Sequence, residues 1–513
     1  MPAIYLINPK PDFLVYMGSE VSKEFSKHPL TFIADATIST VAAMVPSDFD
    51  IKLCDESIDE IDYNTTAEYI GLTGKFSQLE RIKELYKIFK AKNKTILMGG
   101  PLASLNPELV RHYCDILVIG ELESVAEKLF SDLRSHTWTH TYNGEKLKTL
   151  ISPTPRWDLY SNQYALAGAV QTSRGCPYNC EFCDVVKYAG RIKRCKPIAS
   201  VMKELDVLYE HGYRYIFLSD DNFTANPKYA KKLLSTIRDW NRQLPLGRVF
   251  FITQLSIESV RDDELLQLCA DSGLLEVFIG IESPVSNTLA EMNKVQNMHL
   301  DIKQSIQKFL NHGIAVSAGL VVGFDSDTVQ TFDDLYAFAM SVPISIFTVF
   351  SLMAPVSTRL YERLRLENRV DAMAELTHVP WTSNIIPKNM SKSDLAWGTH
   401  DLINRLYTPQ AFATRTVNFI NNVVPNEDLI HFGKSKKVER TLFSLLKYWS
   451  KSGADEKEAY DKIFNAIRET KKQKQISQYV YQILANYLQT RYLLKCYPCL
   501  PKLIPSECLE YVI

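Results

Sequence analysis

The sequence lacks any long uncharged apolar segment. In 513 residues no stretch approaches the ~18 consecutive apolar residues that a membrane-spanning helix needs. The first residues, Met1–Phe13, also lack a basic stretch followed by an apolar core, which a secretory signal would contain. We therefore expect a cytoplasmic protein with no integral membrane segment.

An excess of charge of one sign is lacking too. The chain has 58 Lys and Arg residues against 59 Asp and Glu residues, which gives a formal net charge of -1. Nucleic-acid-binding proteins usually carry a basic patch or stripe, so we expect no nucleic-acid partner. The 46% hydrophobic content is typical of a globular protein, and the length suggests roughly two to four domains.

Short apolar runs alternate with helical patterns through the first part of the chain. The runs are Ala3–Asn8, Ile51–Cys54, Tyr69–Leu72, Thr95–Met98 and Ile116–Ile119. Glycine-containing loops follow the last three. This pattern predicts an open, Rossmann-like parallel α/β sheet, whose ligands bind outside the carboxyl ends of the strands. The G-x-G-x-x-G sequence of dinucleotide-binding sheets is missing, so NAD is not expected.

A second series of apolar runs follows a polar segment that contains Pro153 and Pro155. These runs are Ala169–Thr172, Tyr215–Leu218, Val249–Leu255, Val277–Ile281, Ala315–Val322 and Ile346–Leu352. Six βα repeats favour a partial, TIM-like barrel over a closed eight-fold one, and the remainder of the chain is helical in pattern. We predict a first domain over 1–135, a linker over 136–160, a barrel over 161–390 and a helical C-terminal domain over 391–513.

Three of the ten cysteines crowd into one short segment. Cys176, Cys180 and Cys183 form C-x3-C-x2-C directly after the first barrel run. Three closely spaced thiolates can hold three irons of a [4Fe–4S] cluster and leave the fourth iron open. The alternatives are a zinc site, which usually needs four ligands in paired spacings, and inert thiols. The spacing favours the cluster.

Polar side chains follow the second, third and fourth barrel runs. They are Ser219, Asp221 and Asn222, then Gln254 and Ser256, then Gly280, Glu282 and Ser283. The carboxyl ends of barrel strands surround the mouth, where such folds place their chemistry. Alternatives stay open for each: Asp220 or Asp221 could cap a helix, Glu282 could be a solvated loop acid, and Gln254 and Ser256 could satisfy buried backbone groups.

Together, the cysteine spacing and these strand-end residues resemble the radical S-adenosylmethionine superfamily. The resemblance implies that the open iron chelates the amino and carboxylate groups of S-adenosylmethionine, whose reductive cleavage gives a 5′-deoxyadenosyl radical. It implies that Phe182 packs near the adenine and that the strand-end residues hold the cosubstrate. It also implies an external one-electron donor of the flavodoxin or ferredoxin type.

The glycine loops of the first domain resemble the cobalamin-binding domain found in one class of that superfamily. The residues that would contact cobalamin by this resemblance are Thr73, Gly74, Lys75, Phe76, Ser77, Gly99, Gly100, Pro101, Gly120, Glu121 and Glu123. The D-x-H-x-x-G segment that supplies a lower histidine to cobalt in other cobalamin proteins is absent. Cobalt would then have no histidine beneath it, and Phe76 is the residue we place nearest its lower face. The alternative is a Rossmann-like domain that binds nothing.

The resemblance covers roughly residues 3–364 and implies a cobalamin-dependent radical S-adenosylmethionine C-methyltransferase. In that class a substrate radical on an unactivated carbon takes the methyl group of methylcobalamin. Two alternatives remain: a cyclase or rearrangement enzyme that uses the same cofactors without methyl transfer, and a non-catalytic cobalamin-binding protein with a structural cluster. The expected substrate is a small molecule or peptide, and the sequence identifies no catalytic residue.

Several other residues invite a functional interpretation. Cys496, Cys499 and Cys508 number too few for a closed metal site, and we interpret them as ordinary thiols. Cys195 is interpreted as a solvated loop residue, because nothing in the sequence marks it as reactive. Tyr188 and Tyr215 are interpreted as packing residues. The C-terminal helices are expected to close the barrel mouth.

Overall fold

A computed structural model describes residues 1–371, 379–427, 433 and 435–498. Within them the chain forms two parallel β-sheets with helices around them, followed by a helical C-terminal region. The predicted α/β class, with a Rossmann-like sheet, a partial barrel and a helical C-terminal part, is confirmed. No helix in this described part is long and apolar enough to cross a membrane.

The first sheet has six strands, and every pair of neighbours is parallel. Its strands are β1 (Ala3–Asn8), β3 (Asp50–Asp55), β4 (Tyr69–Thr73), β5 (Thr95–Gly99), β6 (Ile116–Gly120) and β7 (Thr141–Gly144), in the spatial order β3-β1-β4-β5-β6-β7. Both faces of such a sheet are covered, so its strands are almost continuously apolar. That is why five of the six could be predicted to within about two residues.

Helices α1 to α5 accompany the first sheet. They are α1 (Ala36–Met44), α2 (Leu79–Lys90), α3 (Pro101–Leu105), α4 (Pro107–Val110) and α5 (Ala126–Ser135). Helix α2 shows why they form: Leu79, Ile82, Leu85 and Phe89 recur at helical spacing and are all buried against the sheet. A helix with this apolar stripe gains most of its stability from packing.

The second sheet is a half-barrel of seven parallel strands. They are β2 (Thr31–Ile33), β8 (Ala165–Val170), β11 (Tyr215–Leu218), β12 (Phe250–Gln254), β13 (Leu274–Glu282), β14 (Ala315–Val322) and β15 (Phe347–Ser351), in the order β15-β14-β13-β12-β11-β8-β2. The six predicted strands are all present. The seventh, β2, comes from the first part of the chain and pairs with β8, Thr31 opposite Ala165.

Between β8 and β11 a two-stranded antiparallel hairpin interrupts the βα pattern. It consists of β9 (Ser173–Arg174) and β10 (Arg194–Cys195), and α6 (Val185–Tyr188) lies inside the loop that joins them. The remaining barrel helices are α7 (Ile198–Glu210), α8 (Pro227–Arg242), α9 (Asp263–Ser272), α10 (Ser286–Glu291), α11 (Ile302–Asn311), α12 (Thr331–Ser341) and α13 (Arg359–Leu366). Cys195 lies in β10 and is half-buried, so it is not the solvated loop residue we expected.

The C-terminal region contributes five helices. They are α14 (Lys392–Leu406), α15 (Pro409–Asn422), α16 (Lys436–Trp449), α17 (Ala454–Glu469) and α18 (Gln473–Cys496). Several of their contacts with the barrel are near the amino-terminal ends of strands: Tyr407 donates to Phe347 O, Tyr479 donates to Gly313 O and Tyr215 donates to Gln478. Helix α14 also reaches the carboxyl end of β15, where the Thr399 and Ser351 hydroxyls lie 2.9 Å apart. Closure of the barrel mouth by these helices stays a prediction.

The predicted domain boundaries do not separate the strands of the two sheets. Strand β2 lies inside the predicted first domain but belongs to the barrel sheet, and β7 lies inside the predicted linker but belongs to the first sheet. At the other barrel edge, the Tyr16 hydroxyl donates to Val349 O at 2.9 Å and accepts from Val349 N at 3.3 Å. The N-terminal segment thus contacts both edge strands of the half-barrel. The domain division stays a prediction.

Candidate active site

The three-cysteine segment lies in the loop that leaves β8 and is held by the β9–β10 hairpin. The Cys176 N–H donates to Gly190 O at 3.1 Å. The preceding Gly175 has φ +98°, and a Cβ on it would come within 2.4 Å of Ile192 O. Only glycine fits this position, because it alone adopts such a φ without a steric penalty. Gly175 therefore helps to specify the conformation of the loop.

The cysteine thiols share one electrostatic environment. Burial, together with a smaller effect of the neighbouring sulfurs, raises the pKa of Cys176 to about 11 and that of Cys183 to about 12. The Lys193 and Lys294 ammonium groups act in the opposite direction on Cys176. Thiols bind metal only as thiolates, so loading with iron must displace protons from this site. The nearby cations favour that displacement.

These thiols can be compared with two kinds of site, one that holds a single metal ion and one that holds a cluster of several ions. In the described part of the chain, no three His, Cys, Asp or Glu side chains converge tightly enough to ligate one shared metal ion. That finding disfavours a single-ion zinc site, whose ligands must meet at one point. In a cubane each cysteine binds a different iron, so the sulfurs need not converge. The donor set fits three corners of a [4Fe–4S] cluster.

Glu181, inside the cysteine segment, anchors the loop to the far side of the barrel. Its carboxylate accepts from Arg363 Nε at 2.8 Å, its N–H donates to Met292 O and its carbonyl accepts from Leu360 N. Arg363 also pairs with Asp325 at 2.8 Å. The loop is thus fixed both by its own hairpin and by α13.

Phe182 lies where the resemblance expects an aromatic residue. Its ring packs edge-to-face on Phe324, which follows β14, with the ring centroids 6.2 Å apart. The ring is half-buried. This places an aromatic surface at the carboxyl end of the barrel, beside the last cysteine of the motif.

The two aspartates after β11 have different roles. Asp220 is buried and accepts hydrogen bonds from the backbone of Thr172 and Ser173, so it is a structural residue. Asp221 accepts from Gly175 N at 3.0 Å and lies 3.5 Å from the Tyr188 hydroxyl. Burial raises the pKa of Asp221. Tyr188 is therefore a polar neighbour of the cysteine loop as well as a packing residue.

Two polar residues at the ends of the second and third barrel strands are in contact. The Asn222 amide donates to the Ser256 hydroxyl at 2.7 Å. Gln254, at the end of β12, is exposed, and Ser219 is half-exposed. The structure brings Asn222 and Ser256 together, and it leaves Gln254 directed away from the protein core.

The end of β13 contains a strained acidic residue. Glu282 is 7% exposed and has φ +63°, a left-handed conformation that is uncommon for a residue with a side chain. Its carboxylate forms an ion pair with Lys294. A Cβ on Gly280 would lie 2.2 Å from Glu282 Oε1, so a larger residue there would require the ends of the paired side chains to shift. Ser283 accepts from Val285 N at 3.1 Å and stabilises the turn.

Sequence reasoning missed the polar segment that completes this side of the site. Lys294 pairs with Glu282, the Gln296 amide lies 3.5 Å from Cys180 Sγ, and the Asn297 amide donates to Gly280 O at 2.9 Å. Burial acts to lower the pKa of Lys294, but Glu282 and Cys180 raise it on balance. We had considered only the residues directly after each strand, whereas this segment follows α10. Its density of polar residues was the available signal.

A cavity of about 100 Å³ lies at the carboxyl ends of the first sheet. Four residues predicted to contact cobalamin line it: Thr73, Gly99, Gly100 and Gly120. The rest of the lining is mostly apolar side chains from the strands, α1 and α5. Small-molecule sites usually measure ~300–1,000 Å³, so this cavity fits only one apolar part of a ligand as large as cobalamin. The bulk of the ligand would lie outside it, at the sheet edge.

Two of these glycines are also required by the backbone. Gly100 has φ +95°, and a Cβ there would come within 3.1 Å of the Gly74 backbone. Gly120 has φ +83°, and a Cβ there would lie 2.1 Å from Gly144 O in β7. Their presence is therefore explained in part without a ligand.

The structure does not place Glu121 and Glu123 in the cavity. Glu121 forms a buried ion pair with Arg194, with NH2 to Oε1 at 2.6 Å, and Glu123 pairs with Arg174 at 2.7 Å. Burial acts to raise the pKa of Glu121, but Arg194, Leu147 N–H and Arg174 lower it on balance. Both arginines belong to the β9–β10 hairpin that holds the cysteine loop. These glutamates connect the two sheets.

The other predicted cobalamin residues lie in the turns after β4 and β5 and do not line the cavity. Gly74 N donates to Gly99 O, Lys75 N donates to Gln78 Oε1, and Ser77 O accepts from Asp12 N. Phe76 packs on the core of the first sheet, and Pro101 begins α3. Their roles toward a ligand stay predictions. Cys496 is exposed, and Cys499 and Cys508 lie outside the described residues.

Comparison with known proteins gives the family of this chain. Residues 170–339 match the family described as Radical SAM superfamily, and residues 358–496 match a domain of unknown function, DUF4070. A protein of Synechocystis sp. named as an uncharacterized methyltransferase is 32% identical over 385 residues, which cover 73% of this chain and 71% of that protein. The hopanoid C-2 methylase of Rhodopseudomonas palustris is 28% identical, over 75% of this chain and 73% of the relative.

A solved structure has the same overall fold. The radical S-adenosylmethionine methyltransferase TsrM from Kitasatospora setae, solved with cobalamin and a [4Fe-4S] cluster bound, superposes with a TM-score of 0.58 at 12% identity. The superposition covers 91% of this chain and 99% of that one. With its three-cysteine loop on a half-barrel and a relative that is 32% identical over 73% of this chain, the chain belongs to the Radical SAM superfamily.

Proposed function

We propose that the protein transfers a methyl group to an unactivated carbon of a small molecule, with a [4Fe–4S] cluster, S-adenosylmethionine and cobalamin as cofactors. The observation that carries this proposal is that Glu121 and Glu123 connect the glycine-lined cavity of the first sheet with the cysteine loop of the barrel. These residues follow β6, beside the glycine-lined cavity, and they pair with the hairpin that holds the cysteine loop. The methyltransferase names of the two relatives support the same conclusion.

The chemistry comes from the cofactors, and the protein binds and shields them. When bound, the cluster and S-adenosylmethionine would supply a carbon radical, and cobalamin would supply the methyl group. Cys176, Cys180 and Cys183 would hold three irons. Asn222, Ser256 and Glu282 would hold the cosubstrate by hydrogen bonds, because they face the same end of the barrel as the cysteines.

Lys294 belongs to this proposal because it offers a buried positive charge close to Cys180 and Cys183. A carboxylate of the cosubstrate would find Lys294 already desolvated and oriented by Glu282. A preorganised donor of this kind needs little rearrangement when the ligand binds. Phe182 would provide the flat apolar surface for the adenine.

The methyl acceptor is proposed to be a small molecule that enters between the barrel mouth and the first sheet. An external one-electron donor of the flavodoxin or ferredoxin type, and a cytoplasmic location, complete the proposal.

The proposal is tested with anaerobically reconstituted protein, hydroxocobalamin, dithionite and S-adenosylmethionine that carries a deuterated methyl group, with a hopanoid as the first acceptor tried. We expect about four irons per chain, 5′-deoxyadenosine and S-adenosylhomocysteine in equal amounts, and a labelled product. Cys176→Ala, Cys180→Ala and Cys183→Ala should each abolish 5′-deoxyadenosine, whereas Cys195→Ser should not.

Two outcomes would contradict the proposal in different ways. A rearranged or cyclised product without the label would replace methyl transfer by radical cyclisation with the same cofactors. Iron loading without any 5′-deoxyadenosine would indicate a cobalamin-binding protein with a structural cluster.

A further inference from the structure

The Gln296 side chain lies against one of the cysteine sulfurs. Its Nε2 is 3.5 Å from Cys180 Sγ, within the distance at which an amide N–H donates to sulfur. The side chain is 7% exposed, so water does not compete for the bond. Gln296 is thus positioned to touch a cluster ligand.

The other end of the same amide has no partner among the described residues. Gln296 Oε1 is fully buried and accepts no hydrogen bond. A buried carbonyl oxygen of this kind is costly to leave unsatisfied, and such groups in native structures usually have a functional explanation. This second observation is independent of the contact with Cys180.

The segment that carries Gln296 is fixed on three sides. Asn293 donates to Asn179 O at 2.9 Å, Lys294 pairs with Glu282, and Asn297 donates to Gly280 O at 2.9 Å. Val295–Asn297 forms a 3-10 turn. These contacts tie the segment both to the cysteine loop and to the end of β13. The Gln296 amide therefore has little freedom to turn away from Cys180.

We propose that Gln296 is a positioning residue that sets the reduction potential of the cluster through an N–H···S bond to Cys180, while its Oε1 accepts a hydrogen bond from bound S-adenosylmethionine. The inference rests on the proposed function, because it requires a cluster on Cys180. A donor to a cluster sulfur stabilises the more negative, reduced state, so it raises the reduction potential. The amino group of S-adenosylmethionine would keep its N–H donors with its lone pair on iron, and one of them would satisfy Oε1.

The test compares the wild-type chain with Gln296→Met, which keeps the volume of the side chain and removes both polar groups. Redox titration of the anaerobic holoprotein, followed by electron paramagnetic resonance without S-adenosylmethionine, gives the potential. We expect the reduction equilibrium constant to fall about tenfold, a shift of 59 mV for one electron. The dissociation constant of S-adenosylmethionine, measured by calorimetry, should rise about tenfold.

Asn293→Gly is the matched control. Asn293 binds the backbone of the same cysteine loop but no sulfur, and its φ of +56° suits glycine. Because Lys294 and Asn297 still hold the segment that carries Gln296, this variant should leave the potential at the wild-type value. If it shifts the potential as much as Gln296→Met does, a general disturbance of the loop explains the effect and the inference is wrong.

A second variant covers the case in which Gln296→Met fails to load iron. Gln296→Asn keeps the amide but is one methylene shorter, so it cannot reach the sulfur, and it should lower the potential by a similar amount. Equal potentials in the loaded wild-type and variant chains would overturn this inference alone. A wild-type chain that loads no cluster would instead overturn the proposed function.

Discussion

Single buried carboxyl groups dominate the pH dependence that we expect for the free energy of unfolding. Glu276 lies near the start of β13, at the end of the barrel away from the cysteines, and burial raises its pKa from 4.5 to about 7. An acid with a raised pKa binds a proton more tightly in the folded chain than in the unfolded chain. The stability that protonation provides is therefore present at low pH and lost as the pH rises through about 4.5 to 7.

The Glu276→Gln variant should remove this loss. We expect the free energy of unfolding of the wild type to fall by about 2–3 kcal/mol more than that of the variant between pH 5 and pH 8. Urea unfolding of both chains across this range measures the difference. Asp55 and Asp327, whose pKa values are also raised to about 6, affect both chains equally and cancel.

The Glu282–Lys294 ion pair leads to a second prediction, which concerns the loss of stability when one partner is removed. Lys294→Met leaves the Glu282 carboxylate buried without its partner, which should destabilise the fold by about 3–5 kcal/mol. The double variant Glu282→Gln with Lys294→Met should recover much of that loss, because no buried charge remains. Chemical denaturation of the wild type, both single variants and the double variant measures the coupling, and additive losses would contradict a direct pair.

Among the elements, the strands were the most predictable. Long apolar runs such as Ala3–Asn8 and Ala315–Val322 match β1 and β14 residue for residue, because a strand buried on both faces must be apolar throughout. Strands β2 and β7 could not be predicted. β2 has three residues, and the sequence of β7, Thr-Tyr-Asn-Gly, is polar. Both form because a neighbouring strand offers a free edge.

The candidate site was predictable to a similar degree. The cysteines can be recognised from their spacing, and the strand-end residues from their position directly after the strands. Glu121 and Glu123 were assigned to cobalamin by resemblance, but their arginine partners lie more than fifty residues away, and no local pattern reveals such a pairing. Gln296 was missed for the same reason, since its partner Cys180 is distant in sequence.

Strand β15 pairs with β14 along one edge, and at its other edge it is expected to depend on a side chain. Tyr16→Phe removes the hydroxyl that serves both Val349 N and Val349 O, and leaves two buried backbone groups unsatisfied. We expect a loss of about 1–3 kcal/mol of unfolding free energy and faster amide exchange at Val349. Tyr497→Phe, which removes one contact to Leu14 N at a more exposed place, is the control and should cost less.

For the whole molecule, the buried pair of Glu121 and Arg194 links the two sheets. Arg194→Met should cost about 3 kcal/mol and should separate the two half-reactions: 5′-deoxyadenosine would still form, while methylated product would fall. The measured quantity is the ratio of the two. Arg134→Met, which breaks an exposed pair between α5 and Asp48 in the loop before β3, should cost under about 1 kcal/mol and leave that ratio unchanged.

Because β2 pairs with β8, the order of synthesis matters for this chain. The strand leaves the ribosome about 130 residues before its partner does, a wait of roughly 7 to 26 s at ordinary elongation rates. During that time an apolar edge must be kept from pairing elsewhere. Neither sheet can be cut out as an independent fragment. Removing the first part of the chain takes β2 from the edge of the second sheet, and a cut at about residue 135 takes β7 from the edge of the first. Truncation after about residue 135 should therefore yield an aggregating product.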